Sequence, residues 1–511
     1  MVTTTSSARS STMTALTTTA TSYPQTHEKI ECPGDAPYFI NNEFHPSAAT
    51  EFFEVHDPAT NNLVTRVPLM TAAELQEVSI AFKFVELIKK NSARLAAAIT
   101  LEQGKTLSDS HGDVLRGLQV AEAACSGPEY MKGEVLEVAT NMETRTYREP
   151  LGVVAAICPF NFPAMIPLWC LPMAVITGNT FILKPSERTP GAAMILAQLA
   201  KEAGFPDGVL SIVHGTHDTV NFLLDSPEIK AISFVGSNRA GEYIFAKGSA
   251  NGKRVQANLG AKNHAVVLPD SDKELFITSV IGAAFGAAGQ RCMAISVLVM
   301  VGESSQWIRE LVERSKAVCV NGGFEAGADI GPVISPESRK RVINLIDSAE
   351  NEGAEILLDG RKCIPKGYPN GNWVGPTIIH QANTSMACYR EEIFGPVLVV
   401  LSVDTLDEAI ELVNSNDYGN GTVIFTQSGA MAEKYRRNID AGQVGINVPI
   451  PVPLPMFSFT GNKKSIAGGG TSTFYGQPSI NFYTQVKTVT SKWSEAKSQP
   501  SKANLSMPIQ S

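Results

Sequence analysis

The chain has 511 residues, of which 43% are hydrophobic and 18% charged, with a formal net charge of −8. That length and composition can bury a large core divided over two or three domains, and the acidic balance argues against a nucleic-acid-binding surface. The eight cysteines show no CxxC spacing and no paired pattern, so they read as reduced thiols, with no disulfide framework and no metal site.

The first 27 residues are more than half Ser and Thr, with no acid and Arg9 as the only base. Residues 1–30 are expected to be a disordered or targeting segment, since they offer nothing to bury. Mitochondrial transit peptides are Ser-rich, acid-poor and Arg-rich, and the segment meets the first two conditions. Residues from Ala72 to Lys105 read as helical, being dominated by Ala, Leu, Glu and Lys. Leu151 to Leu183 contains no charged residue and is long enough to suggest a membrane span. Pro159, Pro163, Pro167 and Pro172 interrupt it and Gly178-Asn179 marks a turn, so a strand, a proline-rich loop, a helix and a second strand fit better. No membrane association is expected.

From there the pattern alternates. Strands are predicted at Val153–Ile157, Thr180–Leu183, Leu210–Val213, Ala231–Val235 and Arg254–Ala257, with helices such as Gly191–Ala203 and Ala240–Lys247 between them. Alternation of this kind gives a parallel sheet covered by helices, an α/β fold. The turn Val235-Gly-Ser-Asn-Arg-Ala-Gly241 has glycines five apart and departs from the usual dinucleotide fingerprint; Ser237 at the helix start could cap the helix or meet a phosphate. A second alternating set follows His264, with strands at Ala265–Leu268, Ser296–Val301, Val397–Leu401 and Thr422–Phe425. Glu143–Arg148 and Ile480–Val486 alternate like exposed strands that could pair across subunits. Such two-strand additions need a partner sheet, so a homo-oligomer is expected.

Four segments carry chemistry. In Phe285-Gly-Ala-Ala-Gly-Gln-Arg-Cys292 a thiol follows a small-residue run. Gly286 and Gly289 leave the backbone bare for close approach of a substrate and a nicotinamide ring, and the Arg291 guanidinium favours the thiolate. A lone cysteine is more often packing. In Ala156-Ile-Cys-Pro-Phe-Asn-Phe-Pro163 the amide of Asn161 can donate to an oxyanion, or serve only as a turn residue. Asn179-Thr-Phe-Ile-Leu-Lys-Pro-Ser-Glu-Arg188 is a buried-strand pattern ending in Lys184, Ser186 and Glu187, where α/β proteins bind nucleotides. The fourth segment is Glu391-Glu-Ile-Phe-Gly-Pro396.

With PFNFP, ILKPSE, FVGS, GQRC and EEIFGP in this order, the chain resembles the aldehyde dehydrogenase superfamily from about Tyr38 to about Trp493. FNFPAMIPLW, GKRVQANLGAKNH, FGAAGQRCMA and GQVGINVPIPVPLPMFSFTG make it most similar to the CoA-acylating branch that acts on methylmalonate and malonate semialdehyde. The resemblance implies a Rossmann-like NAD domain (38–135 and 151–262), oligomerisation strands forming a β-flap (138–150 and 474–493), an α/β catalytic domain (263–470) and a tail (494–511). It implies a homotetramer, and a mitochondrial location with the cytoplasm as alternative.

By the same resemblance, Cys292 is the nucleophile, and Asn161 with the Cys292 N–H holds the oxyanion. Cys158, Phe160, Lys184, Glu187, Arg188, Gly236, Ser237, Leu259, Glu392 and Phe394 fall on the cofactor site. Lys184 and Glu187 would take the adenosine ribose, and a carboxylate at Glu187 favours NAD over NADP. Hydrolytic members carry Glu-Leu-Gly-Gly-Lys where this chain has Asn258-Leu-Gly-Ala-Lys262. Asparagine cannot accept a proton from water, whereas a thiol needs less help, so the acyl group is expected to pass to coenzyme A. Arg116 and Arg291 are candidates for gripping a substrate carboxylate, or for structural ion pairs. The alternatives are a hydrolytic semialdehyde dehydrogenase and a catalytically silent scaffold. The chain departs from the family between Ala81 and Lys83, where members carry a turn and much of a further helix.

Overall fold

The computed structural model describes residues 35–36, 38–40, 43–56, 63–69, 80–468 and 474–493. The expected targeting segment, Ala72–Ser79 of the expected helix, and the tail lie outside them. The chain divides into two compact units, residues 1–83 and 84–511. In the first unit, Tyr38–Ile40 pairs with Glu43–His45 and Phe52–His56 with Leu63–Pro68, both antiparallel.

The single helix expected up to Lys105 is broken. Ile80–Lys90 and Ser92–Gln103 are separate helices, and the Asn91 side chain donates to Leu87 O at the break (2.9 Å). The second ends in a left-handed Gly104, which frees Lys105 to turn inward. Thr106 then caps the helix Leu107–Ala124 by accepting from Asp109 N.

The larger unit is built on two large sheets. In the first, the strands lie in the spatial order Leu210–Ile212, Thr180–Lys184, Val153–Ile157, Ile229–Val235, Arg254–Asn258 and Ile466–Ala467. The first five are parallel, and the last is antiparallel. Numbered along the chain, the parallel strands run 3-2-1-4-5, the doubly wound order. The order reverses between Val153–Ile157 and Ile229–Val235, and a crevice opens at such a switch point. The uncharged stretch resolves as expected into strand, loop, the buried helix Met165–Ile176 and strand. No described helix is long and apolar enough to cross a membrane.

The second sheet runs Glu355–Leu358, Thr377–His380, Val397–Val403, Ile295–Val301, Asn263–Val267, Gly421–Phe425, Gln443–Ile446, all parallel except the first. Its inner strands are almost wholly buried, as continuous Val/Ile/Leu runs require when helices cover both faces.

One expectation for the flap needs correction. Ile480–Tyr483 is helical, the end of Gly476–Tyr483, and the strand begins only at Thr484. Within the chain, Thr484–Lys492 lies antiparallel to Met142–Pro150, with Val486 opposite Arg148. Val135–Ala139 adds a third strand.

Candidate active site

Two sheet edges meet at the site. The cofactor candidates follow the carboxyl ends of four parallel strands: Cys158 and Phe160 after Val153–Ile157, Lys184 to Arg188 at the end of Thr180–Lys184, Gly236 and Ser237 after Ile229–Val235, and Leu259 after Arg254–Asn258. From the second sheet come residues just before the amino ends of strands: Cys292 before Ile295–Val301, Phe394 before Val397–Val403 and Asn420 before Gly421–Phe425. Cys292, Arg291, Asn263, Glu392 and Phe394 line one cavity.

The turn leading to Cys292 is strained. Ala287 and Ala288 both lie in the left-handed region, at φ 51° and 53°. Consecutive non-glycine residues there are costly and need surroundings that hold them. Gln290 does so: its Nε2 donates to Ala287 O (3.2 Å) and its Oε1 accepts from Ile334 N (2.9 Å). The two glycines make room for the protein itself. A Cβ on Gly289 would collide with the Gly395 carbonyl, and one on Gly286 with the Arg291 guanidinium. Gly289 therefore lets the turn before Cys292 touch the Phe394-Gly395-Pro396 turn.

Burial pushes the Cys292 thiol up to about 12, and the Glu392 carboxylate adds to this. The backbone N–H groups of Cys292 and Met293, and then Arg291, favour the thiolate. Arg291 thus contributes as expected, but last and against larger opposing effects. Its guanidinium is engaged by Asp109 on the helix Leu107–Ala124. Arg116, on the same helix, is exposed and donates to Gln119 Oε1 (3.3 Å). Burial raises the Tyr475 phenol; Arg116 opposes that shift and Cys292 adds to it.

Asn161 is buried, and its Nδ2 donates to Gln290 O (3.1 Å). An amide nitrogen carries two hydrogens, so one remains for an oxyanion. The loop that bears it is held from inside the protein. Lys105 Nζ donates to Asn161 O (2.6 Å), lies 4.3 Å from the Phe162 ring centroid and pairs with Asp113 (3.1 Å). Asp113 Oδ1 accepts from Met165 N (2.7 Å). Asp109, Asp113 and Arg116, spaced by four and three residues, share one helix face directed at this region.

The cofactor positions fit a dinucleotide. Ser237 occupies the N-cap of Asn238–Ala250 without a side-chain capping bond, so the helix start remains available to a phosphate and the capping role is not used. A Cβ on Gly236 would clash with the Phe234 ring. Lys184 is buried at its strand end, with Nζ 3.4 Å from Glu187 Oε2. Arg188 pairs instead with Glu337 at 3.6 Å. Phe160 and Phe394 meet edge to face at 5.9 Å. Glu392 Oε1 accepts from Ala261 N (2.9 Å), and burial raises its carboxyl. Leu259 is buried, with its N–H on Ser465 O (2.8 Å).

Asn258 closes the site. Its Nδ2 donates to Asn420 Oδ1 (3.4 Å), and Asn420 Nδ2 donates to Cys292 O (3.1 Å). Asn263 Nδ2 donates to the same carbonyl (2.8 Å) and to Ala294 O (2.9 Å). Asn263, Asn420, Lys105, Asp113 and Asp109 were not singled out from the sequence. The spacing of Asp109, Asp113 and Arg116 was the available signal for the helix face; nothing local marks Asn420.

Residues 76–489 match the aldehyde dehydrogenase family. The chain belongs to this family. The rat protein named methylmalonate-semialdehyde/malonate-semialdehyde dehydrogenase [acylating], mitochondrial, is 55% identical over 510 residues, covering 96% of this chain and 95% of that one. The human protein of the same name is 56% identical over 491 residues, covering 92% and 91%. The 510 aligned positions exceed the 96% of this 511-residue chain they draw on, so the rat protein has residues this chain lacks. Among solved structures, methylmalonate-semialdehyde dehydrogenase of Oceanimonas doudoroffii superposes with a TM-score of 0.80 at 40% identity, covering 91% of this chain and 99% of that one. A Sinorhizobium meliloti protein solved with NAD also gives 0.80, at 38% identity, covering 90% and 98%.

Proposed function

We propose that this family member oxidises methylmalonate semialdehyde and malonate semialdehyde with NAD and coenzyme A, releasing CO₂ and giving propionyl-CoA or acetyl-CoA. The observation that carries the CoA-dependent reading is Asn258. At the position where hydrolytic members keep a carboxylate, this chain has an amide whose Nδ2 is committed to Asn420. The names of the relatives at 55% and 56% identity agree.

Cys292 Sγ bonds to the aldehyde carbon, while Asn161 Nδ2 and the Cys292 N–H donate to the oxygen that gains charge. Bound NAD supplies the hydride acceptor; Ser237, Lys184 and Glu187 would hold its adenosine half, and Glu392, Phe394 and Phe160 its nicotinamide half. Arg116 receives the substrate carboxylate, which is lost as CO₂ once the aldehyde carbon is oxidised; the bonding pair stays on the α-carbon as a thioester enolate, which takes up a proton from solvent. The CoA thiol then attacks the acyl carbon and Cys292 leaves as thiolate. The active form is a homotetramer. Its contacts include the flap, whose Val135, Leu136, Tyr147 and Val486 side chains are exposed in the single chain. The Ser/Thr-rich start and the mitochondrial relatives favour a mitochondrial location.

The test is NADH formation by the purified protein with and without CoA. Without CoA, NADH should appear as a burst close to one per active site and then nearly stop; with CoA, turnover should be steady and the product a CoA thioester. Sustained turnover to a free acid without CoA would return the protein to the hydrolytic branch, and no NADH in either case would mark it as silent.

A further inference from the structure

Asn420 can adopt only one amide orientation. Its Nδ2 faces two acceptors, Cys292 O at 3.1 Å and Met293 Sδ at 3.1 Å. Its Oδ1 must therefore face Asn258, and a buried oxygen there needs a donor. Asn258 Nδ2 is that donor, at 3.4 Å. Asn258 is 2% exposed and Asn420 1%, so bulk solvent does not reach the pair.

The carbonyl they hold belongs to the peptide between Cys292 and Met293. In a trans peptide the N–H points opposite to the C=O. With Asn420 and Asn263 fixing the carbonyl on one side, the Met293 N–H is fixed on the other, where it favours the thiolate. We propose that Asn258, acting through Asn420, is a positioning residue for the nucleophile: it orients the Cys292–Met293 peptide so that a backbone N–H faces Sγ. This deepens the CoA-dependent reading and rests on it for its biological meaning. Asn258 is then more than the absence of a base. A carboxylate at 258 cannot donate to Asn420 Oδ1 and would favour a reversed amide, setting an oxygen against the Cys292 carbonyl. Asn258→Glu alone should therefore damage the nucleophile before it gains a hydrolytic base.

The test compares wild type, Asn258→Leu, Asn420→Leu and the double variant, all without added charge. The rate of Cys292 alkylation by iodoacetamide is followed by mass spectrometry from neutral to alkaline pH. Each single variant should be alkylated roughly tenfold more slowly at neutral pH, with the profile displaced upward by about one pH unit. The double variant should match the slower single, because both changes break one linkage. Wild-type alkylation in Asn258→Leu, or losses that multiply in the double variant, would overturn the proposal. Thermal unfolding checks that each variant is folded, and the alanine pair gives the same comparison if a leucine variant is not. Alkylation requires neither CoA nor aldehyde, so the CoA reading can fail while this linkage stands, or the reverse.

Discussion

Lys105 and Asp113 form an ion pair sealed from water, 3.1 Å apart with side chains 1% and 0% exposed, and between them they hold both ends of the loop that presents Asn161. Burial pushes the lysine down and the carboxyl up, and each group counters the effect on the other. Lys105→Met should destabilise the fold by about 3–5 kcal/mol, because it strands a buried carboxylate. Lys105→Met with Asp113→Leu should recover much of that stability in denaturant titrations. The burst of NADH should stay slow in the double variant, since the Asn161 carbonyl has lost its donor. Recovery of both stability and burst rate would show that the pair serves only the core.

Cys292→Ala should abolish NADH formation and leave NAD binding within about twofold, because only the nucleophile is removed. Asn161→Ala should slow the burst by roughly 10²–10³-fold, the effect of one oxyanion donor. Appreciable turnover in the first variant, or an unchanged burst in the second, would refute the role assigned.

The two arginines should behave differently. Arg116 is exposed, with its hydrogen bond going to the neutral Gln119, whereas Arg291 is committed to Asp109. Arg116→Ala should lower kcat/KM for methylmalonate semialdehyde by roughly 2 kcal/mol or more relative to propanal, which has no carboxylate to lose. Arg291→Ala should harm both aldehydes alike, and Asp109→Asn should mimic it. The comparison is of kcat/KM ratios for the two aldehydes. A selective loss in Arg291→Ala would place that guanidinium on the substrate.

His264 should set part of the acid limit. It is buried beside Lys262, whose carbonyl its Nδ1–H meets at 2.7 Å, so Nε2 accepts from the Tyr389 hydroxyl at 3.1 Å. Burial lowers its pKa from 6.5 to about 3. The unfolded chain takes up this proton near pH 6.5 while the folded one does not, so stability is full above that value and falls as the pH drops toward 3. His264→Gln should show a shallower loss of stability between these limits in denaturant midpoints. An unchanged slope would mean that other groups set it.

The cofactor edge was legible because apolar runs end abruptly in polar residues, as at Leu183-Lys184 and Val235-Gly236-Ser237, and strand ends were placed within about two residues. The helix before the last strand was misread. Ile480 and Phe482 alternate like a strand, yet Gly476, Ser479, Ile480 and Tyr483 are the buried positions, a helical spacing. Nor could the sequence pair Asn258 with Asn420, 162 residues away, or Arg291 with Asp109, 182 residues away. Such pairs depend on which strand ends the topology brings together, and no local propensity encodes that.

The flap places a demand on synthesis. Thr144 and Thr490, joined across its two long strands, are 346 residues apart. At ~5–20 residues per second, the ribosome needs roughly 20–70 s to deliver the second strand after the first emerges. During that interval Met142–Pro150 has only Val135–Ala139 beside it, with Leu136 and Tyr147 exposed. A chaperone that shields this edge while translation continues would raise the yield of folded enzyme. A message truncated before Thr484 would release a chain with most of its active site and an unsealed, aggregation-prone strand.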